Sequence, residues 1–157
     1  RMAESESAGT SLLGDERSVA VRLFNETWEL LERGDRTARE DDRLIHLAHA
    51  SRFHWDNVGT NQNRAIGEWQ VSRVYAALGL GDRAVHHARR AVEYASEDGT
   101  DDWVAASALE GLARAHATAG DLDQAIAARA RALDLLASIA DDDDRGTVQS
   151  NIDSLPF

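Results

Sequence analysis

The chain contains no cysteine, no lysine and a single proline in 157 residues. Without cysteine there is no disulfide, no thiolate metal site and no cysteine nucleophile, and the redox compartment stays open. Without lysine, all 17 basic residues are arginine; they stand against 28 acidic ones and leave a net charge of -11. A field of that sign repels phosphate backbones and anionic membranes, so neither nucleic acid nor a membrane is expected as a partner. No apolar run reaches the ~18 residues that span a bilayer, and the stretch from Met2 to Gly9 does not read as a signal peptide, so a cytoplasmic protein is expected. Also missing are a Gly-rich phosphate loop, a nucleophile elbow and an HExxH helix. No catalysis and no cofactor are expected.

What is present reads as helix throughout, because no segment alternates with period two for long enough to make a strand. Residues 1 to 14 are rich in Ser, Glu and Gly and offer little to bury, so a disordered tail is expected there, followed by one domain over 15–157. Ala20, Leu23, Phe24, Thr27, Trp28 and Leu31 form the stripe of a first helix, which Gly34 stops. A second helix carries Leu44, Leu47, Ala48, Ser51 and Trp55 on one face and ends at Gly59. Thr60 caps a third, which closes at Gly79-Leu80-Gly81; the fourth runs from Asp82 to about Ser96. A fifth follows the acidic turn Glu97 to Asp102, and a sixth runs from the Gly120-Asp121 turn to about Ile139. The Asp141 to Asp144 run reads as a solvated loop before a last helix within 145–155. It opens like a calcium loop, but Arg145 and Ile152 fall where the fifth and twelfth ligands belong.

From Ala65 to Leu135 one motif is written twice. Gly79, Ala84, Val85, Ala91 and Val92 recur 41 residues later as Gly120, Ala125, Ile126, Ala132 and Leu133, with Arg73 recurring as Arg114 and Tyr75 as His116. Leu109, Leu112, Ala113 and His116, then Gly120-Asp121, Ala125 and Ala132, resemble the tetratricopeptide repeat, in a long-helix variant. The period exceeds that family's ~34 and also falls in the HEAT and armadillo range of ~40 to 47, and the proline after the second helix is absent. The resemblance implies an all-α, right-handed superhelix of three antiparallel hairpins. The hairpins are a degenerate repeat over 15–59 and repeats over 60–98 and 100–140, and a C-terminal capping helix follows them.

It implies too a protein- or peptide-interaction module, adaptor or regulator, whose concave groove is lined by the first helix of each pair. By position the groove residues are Ile66, Trp69 and Arg73 in one copy and Glu110, Arg114 and Thr118 in the next. Two arginines one repeat apart suit an acidic partner or a free C-terminal carboxylate. The competing reading pairs them with Glu68, Glu110 or other carboxylates of the chain itself. A different function class, a small-molecule or metal protein, would use a pocket lined by His54, Trp55 and Trp28. Asp42, His46 and His49 share one helical stripe and would make a two-histidine, one-carboxylate metal set, although a solvated stripe is the preferred reading. His116 reads as a core histidine, and His86 and His87 as surface. Phe24 and Trp28 on the first helix raise self-association as a homodimer.

Overall fold

The computed structural model describes residues 2–157, with side chains from Gly14 onward. Among the described residues there are seven helices and no strand: α1 Met2–Leu31, α2 Ala38–Val58, α3 Asn61–Ala77, α4 Gly81–Ala95, α5 Asp102–Thr118, α6 Leu122–Leu136 and α7 Asp142–Asp153. The tail expected over residues 1 to 14 falls, but for Gly14, on residues whose side chains lie outside the described ones.

Local chemistry sets the boundaries. Thr37 and Thr60 close capping boxes on Glu40 and Asn63, so α2 and α3 begin where two orphan backbone donors are each satisfied. At the end of α3, Gly79 takes φ 75° while Leu80 N–H bonds the Tyr75 carbonyl and Gly79 N–H the Ala76 carbonyl. One period later Gly120 takes φ 84°, with Asp121 N–H on His116 and Gly120 N–H on Ala117. The 41-residue repeat is thus repeated in its hydrogen bonds, as two Schellman caps that need glycine at the left-handed position. The last helix starts earlier than its expected range. Asp141 is its N-cap, accepting from Asp144 N–H at 2.9 Å, and Asp142, Asp143 and Asp144 occupy its first turn, where the helix dipole favours negative charge. A run that composition alone marks as loop is therefore a helix start.

Consecutive helices pack side by side, α1 with α2, α3 with α4 and α5 with α6; α4 also packs on α5, and α3 on α5. Small residues allow this closeness. Ala84, Ala91, Ala125 and Ala132 are all fully buried, and a Cβ on Gly81 would stand 2.5 Å from Ala119 Cα. Larger side chains fill the gaps on either side: Leu44, Leu47, Val71, Val74 and Tyr75 under the first four helices, and Leu109, Leu136, Val148, Ile152 and Leu155 under the last three. Each fully buried aliphatic side chain contributes about 1.5–3 kcal/mol relative to exposure. Among the described residues no helix is long and apolar enough to cross a membrane.

Candidate functional site

The face shared by α1, α3 and α5 carries a stripe that begins aromatic and ends ionic. Phe24 meets Trp28 edge to face at 6.3 Å, and Trp28 lies 5.4 Å from Trp69. Gly111 makes room for Trp69 on α5, since a Cβ there would fall 2.6 Å from Trp69 Cδ1. The indole Nε1 donates to Glu110 Oε2 at 3.0 Å. Onto Oε1 of the same carboxylate converge Arg73 Nη1 at 3.3 Å, Arg114 Nε at 2.9 Å and Arg114 Nη2 at 2.7 Å.

Glu110 is fully buried. An ionised carboxylate there is tolerable only because three side chains compensate it, since desolvation costs several kcal/mol. The two arginines are not equivalent. Arg114 Nη2 also reaches the Asn151 carbonyl at 3.2 Å and Ser154 Oγ at 2.8 Å, so it ties α5 to the end of α7. Arg73 makes one side-chain hydrogen bond among the described residues. Burial and the neighbouring Arg114 charge push its guanidinium below the ordinary value, and Glu110 offsets part of that. Two guanidiniums on one carboxylate leave a positive centre in a chain of net charge -11.

Of the expected groove residues, the structure therefore brings four together: Trp69, Arg73, Glu110 and Arg114. Glu110 lies beneath the surface as the acceptor for the other three and does not face outward. Ile66 packs against the alanine-rich cluster of Ala65, Ala91 and Ala108. The Thr118 hydroxyl returns to the Arg114 carbonyl at 3.0 Å. Glu68 takes no part, being engaged elsewhere.

The expected pocket of His54, Trp55 and Trp28 is not assembled. His54 Nδ1 lies 3.0 Å from Glu16 Oε1, and Trp55 is buried under Arg17 at 5.0 Å. Trp28 sits 11 residues beyond Arg17 on α1, about 16 Å along a helix axis. Hydrogen bonds from Asn57 and His54 hold the Glu16 carboxyl below its ordinary range. Among the residues of α1 whose side chains are described, Phe24 and Trp28 are part-buried, and Val21 is the large apolar residue left exposed.

Nor do Asp42, His46 and His49 converge. Asp42 and His46 are exposed, whereas His49 turns inward, its Nε2 2.8 Å from Tyr75 Oη. Among the described residues no three His, Asp or Glu side chains are grouped to hold a metal ion. His49 belongs instead to a cluster that composition gave no sign of. His87, expected at the surface, is half-buried; it stacks on Tyr75 at 5.5 Å and places Nδ1 2.7 Å from Glu68 Oε2, while Arg52 Nε donates to Glu68 Oε1 at 2.9 Å. Burial pushes the Glu68 carboxyl up, but His87 and Arg52 together outweigh it and hold it below the ordinary range. Burial, then His87, pushes His49 down.

The fold and this face define an all-helical protein of packed hairpins, cross-linked internally by a buried ion cluster. Comparison with protein-family models, curated proteins and solved structures gives no match for this chain.

Proposed function

We propose that the chain is a non-catalytic interaction module, a tetratricopeptide-like right-handed superhelix, whose concave face takes an acidic peptide or a free C-terminal carboxylate. The observation that carries this is the imbalance at Glu110: two guanidiniums share one carboxylate, and Arg73 keeps donors to spare one helical turn from Trp69, which packs on Trp28. An incoming carboxylate would accept a charge-assisted, two-pronged bond from Arg73. The adjoining indoles would cover apolar surface of the preceding residue. Arg114, held by Glu110 and α7, would fix the carboxylate beneath and keep Arg73 in place. The serial packing of α1 on α3, α3 on α5 and α5 on α7 supports an array in which these helices line one groove.

The test is fluorescence anisotropy with acidic peptides ending in a free carboxylate, set against the same peptides amidated. Binding should be confined to the free acids and fall about tenfold or more in Arg73→Gln, the size of a lost charged hydrogen bond. The melting temperature should fall only in part, because Arg114 and the Trp69 indole still hold Glu110. Equal binding of the amidated peptides overturns the reading.

A further inference from the structure

Between the outer surface of α4 and the turn joining α5 to α6 lies an open cleft of about 530 Å3. The repeat explains its origin. One period earlier the corresponding crevice is plugged: Tyr75 Oη lies 2.8 Å from His49 Nε2, and its ring stacks on His87. Advanced by 41 residues, Tyr75 becomes His116, His49 becomes Arg90 and His87 becomes Ala128. The plug loses its length and both its partners, and Arg90 pairs instead with Glu93 at 3.0 Å. At the positions one period after Ile45 and Ala48, which pack in the core of the first four helices, stand His86 and Arg89. The same architectural gap is therefore filled by a hydrogen-bonded aromatic plug in one copy and open in the next. Nothing in the packing of a repeat requires that exchange.

The groups left in the cleft are short of partners. His116 is only 6% exposed, yet it lines the cleft, and its ring makes no hydrogen bond with any described residue. Burial, opposed by Asp121 and aided by Arg89, holds the imidazole below its ordinary value, which keeps it neutral with one N–H to donate. Arg89 has no ion pair among the described residues, and neither has Asp82, about 10 Å away along α4. Asp121 gives one carboxylate oxygen to the Gln124 N–H at 3.2 Å.

We infer that this cleft binds a small zwitterion of the amino-acid class, its carboxylate held by Arg89 and the His116 imidazole and its ammonium by Asp82 and Asp121. The site is independent of the Arg73 face.

Ring-proton NMR signals of His116, assigned by comparison with His116→Gln, are followed while free L-amino acids are added singly at pH 7, with acetate and ethylammonium as separate arms. The expected result is a saturable shift with at least one amino acid, about tenfold weaker in Arg89→Ala as a lost charged hydrogen bond dictates, and no saturation by either half-ligand. No saturable shift with any amino acid overturns the site. Undiminished affinity in Arg89→Ala, or equal affinity for acetate, overturns the zwitterion assignment. Combining Arg90→His, His116→Tyr and Ala128→His restores the three rings of the preceding copy's plug; this variant should bind no amino acid by calorimetry, and retained binding overturns the inference.

Discussion

Trp69 and Glu110 hold the same position in consecutive copies of the repeat, 41 residues apart, and the indole Nε1 of one donates to Oε2 of the other at 3.0 Å. Equivalent positions on neighbouring helices of a repeat stand side by side. Here one of them is aromatic and the other acidic, so adjacency has become a cross-link from α3 to α5. Arg73 and Arg114, also one period apart, meet on the same carboxylate.

Glu110→Gln keeps the shape and removes the charge. Arg73 and Arg114 would then share a part-buried site with no carboxylate, and breaking such a pair costs about 3 kcal/mol. Because both guanidiniums reach solvent at one edge, the loss is expected at or below that figure. Urea unfolding followed by tryptophan fluorescence measures it, and Trp69 should report the change directly. A loss under about 0.5 kcal/mol, the scale of an indifferent surface substitution, would mean that the cluster holds nothing together.

Two glycines should respond to alanine with opposite sign. At Gly81 the new Cβ would meet Ala119 N at 2.6 Å and Cα at 2.5 Å, and a backbone cannot swing aside as a side chain can. Parting α4 from the end of α5 is expected to cost about 1–3 kcal/mol, as overpacked cores do. Gly146 lies inside α7 with no atom within 4 Å of the added methyl, so Gly146→Ala should stabilise by about 0.5–1 kcal/mol through helix propensity. Paired thermal melts decide both. A neutral Gly81→Ala would show that the α4 and α5 contact can relax.

Periodicity made the helices and the repeat legible, because a 41-residue spacing of Gly and Ala dictates where turns fall and where helices approach. It also placed Arg73 and Arg114 on one face. Periodicity cannot say whether a face is covered, and for that reason Glu110 read as a groove residue although it is sealed beneath its neighbours. The spacing of 41 between Trp69 and Glu110 was the available signal for their contact. The histidines mark another limit. His46 and His87 are repeat equivalents, yet His46 is exposed while His87 is half-buried, because Glu68 and Tyr75 of α3 are there to receive it. The Asp141 to Asp144 run shows that acidic composition describes a helix start as well as a loop, and only the cap geometry distinguishes them.

Tyr75→Phe isolates the plug between α2 and α3. The ring remains to stack on His87, but His49 Nε2 loses its partner in a half-buried position. A loss of about 1–2 kcal/mol is expected, the range for an orphaned buried polar group. Chemical denaturation gives the number. The double variant with His49→Phe should recover part of it, since the orphan is then removed as well. No recovery would place the cost in packing and not in the hydrogen bond.

Stability should fall with acid in two separate windows. His49 is faced by Tyr75 and Glu68 from α3 and by His87 and Arg83 from α4, with His46 on its own helix, and burial and then His87 hold it below the ordinary 6.5. The unfolded chain therefore takes up a proton near 6.5 that the folded chain refuses. Stability is intact above that value and declines as pH drops from it toward the folded value, and His116 adds in the same direction. Glu68 and Glu40 are held below 4.5 in the fold, so their contribution is complete above 4.5 and is lost only as pH falls through their lower folded values. Melting temperatures taken across this range should be level above 6.5, slope downward beneath it, and steepen again under 4.5. His49→Gln should flatten the upper slope without touching the lower one. If the wild-type curve stays level between 6.5 and 4.5, His49 and His116 take up protons in the folded state as readily as in the unfolded one, and burial does not hold them down in solution.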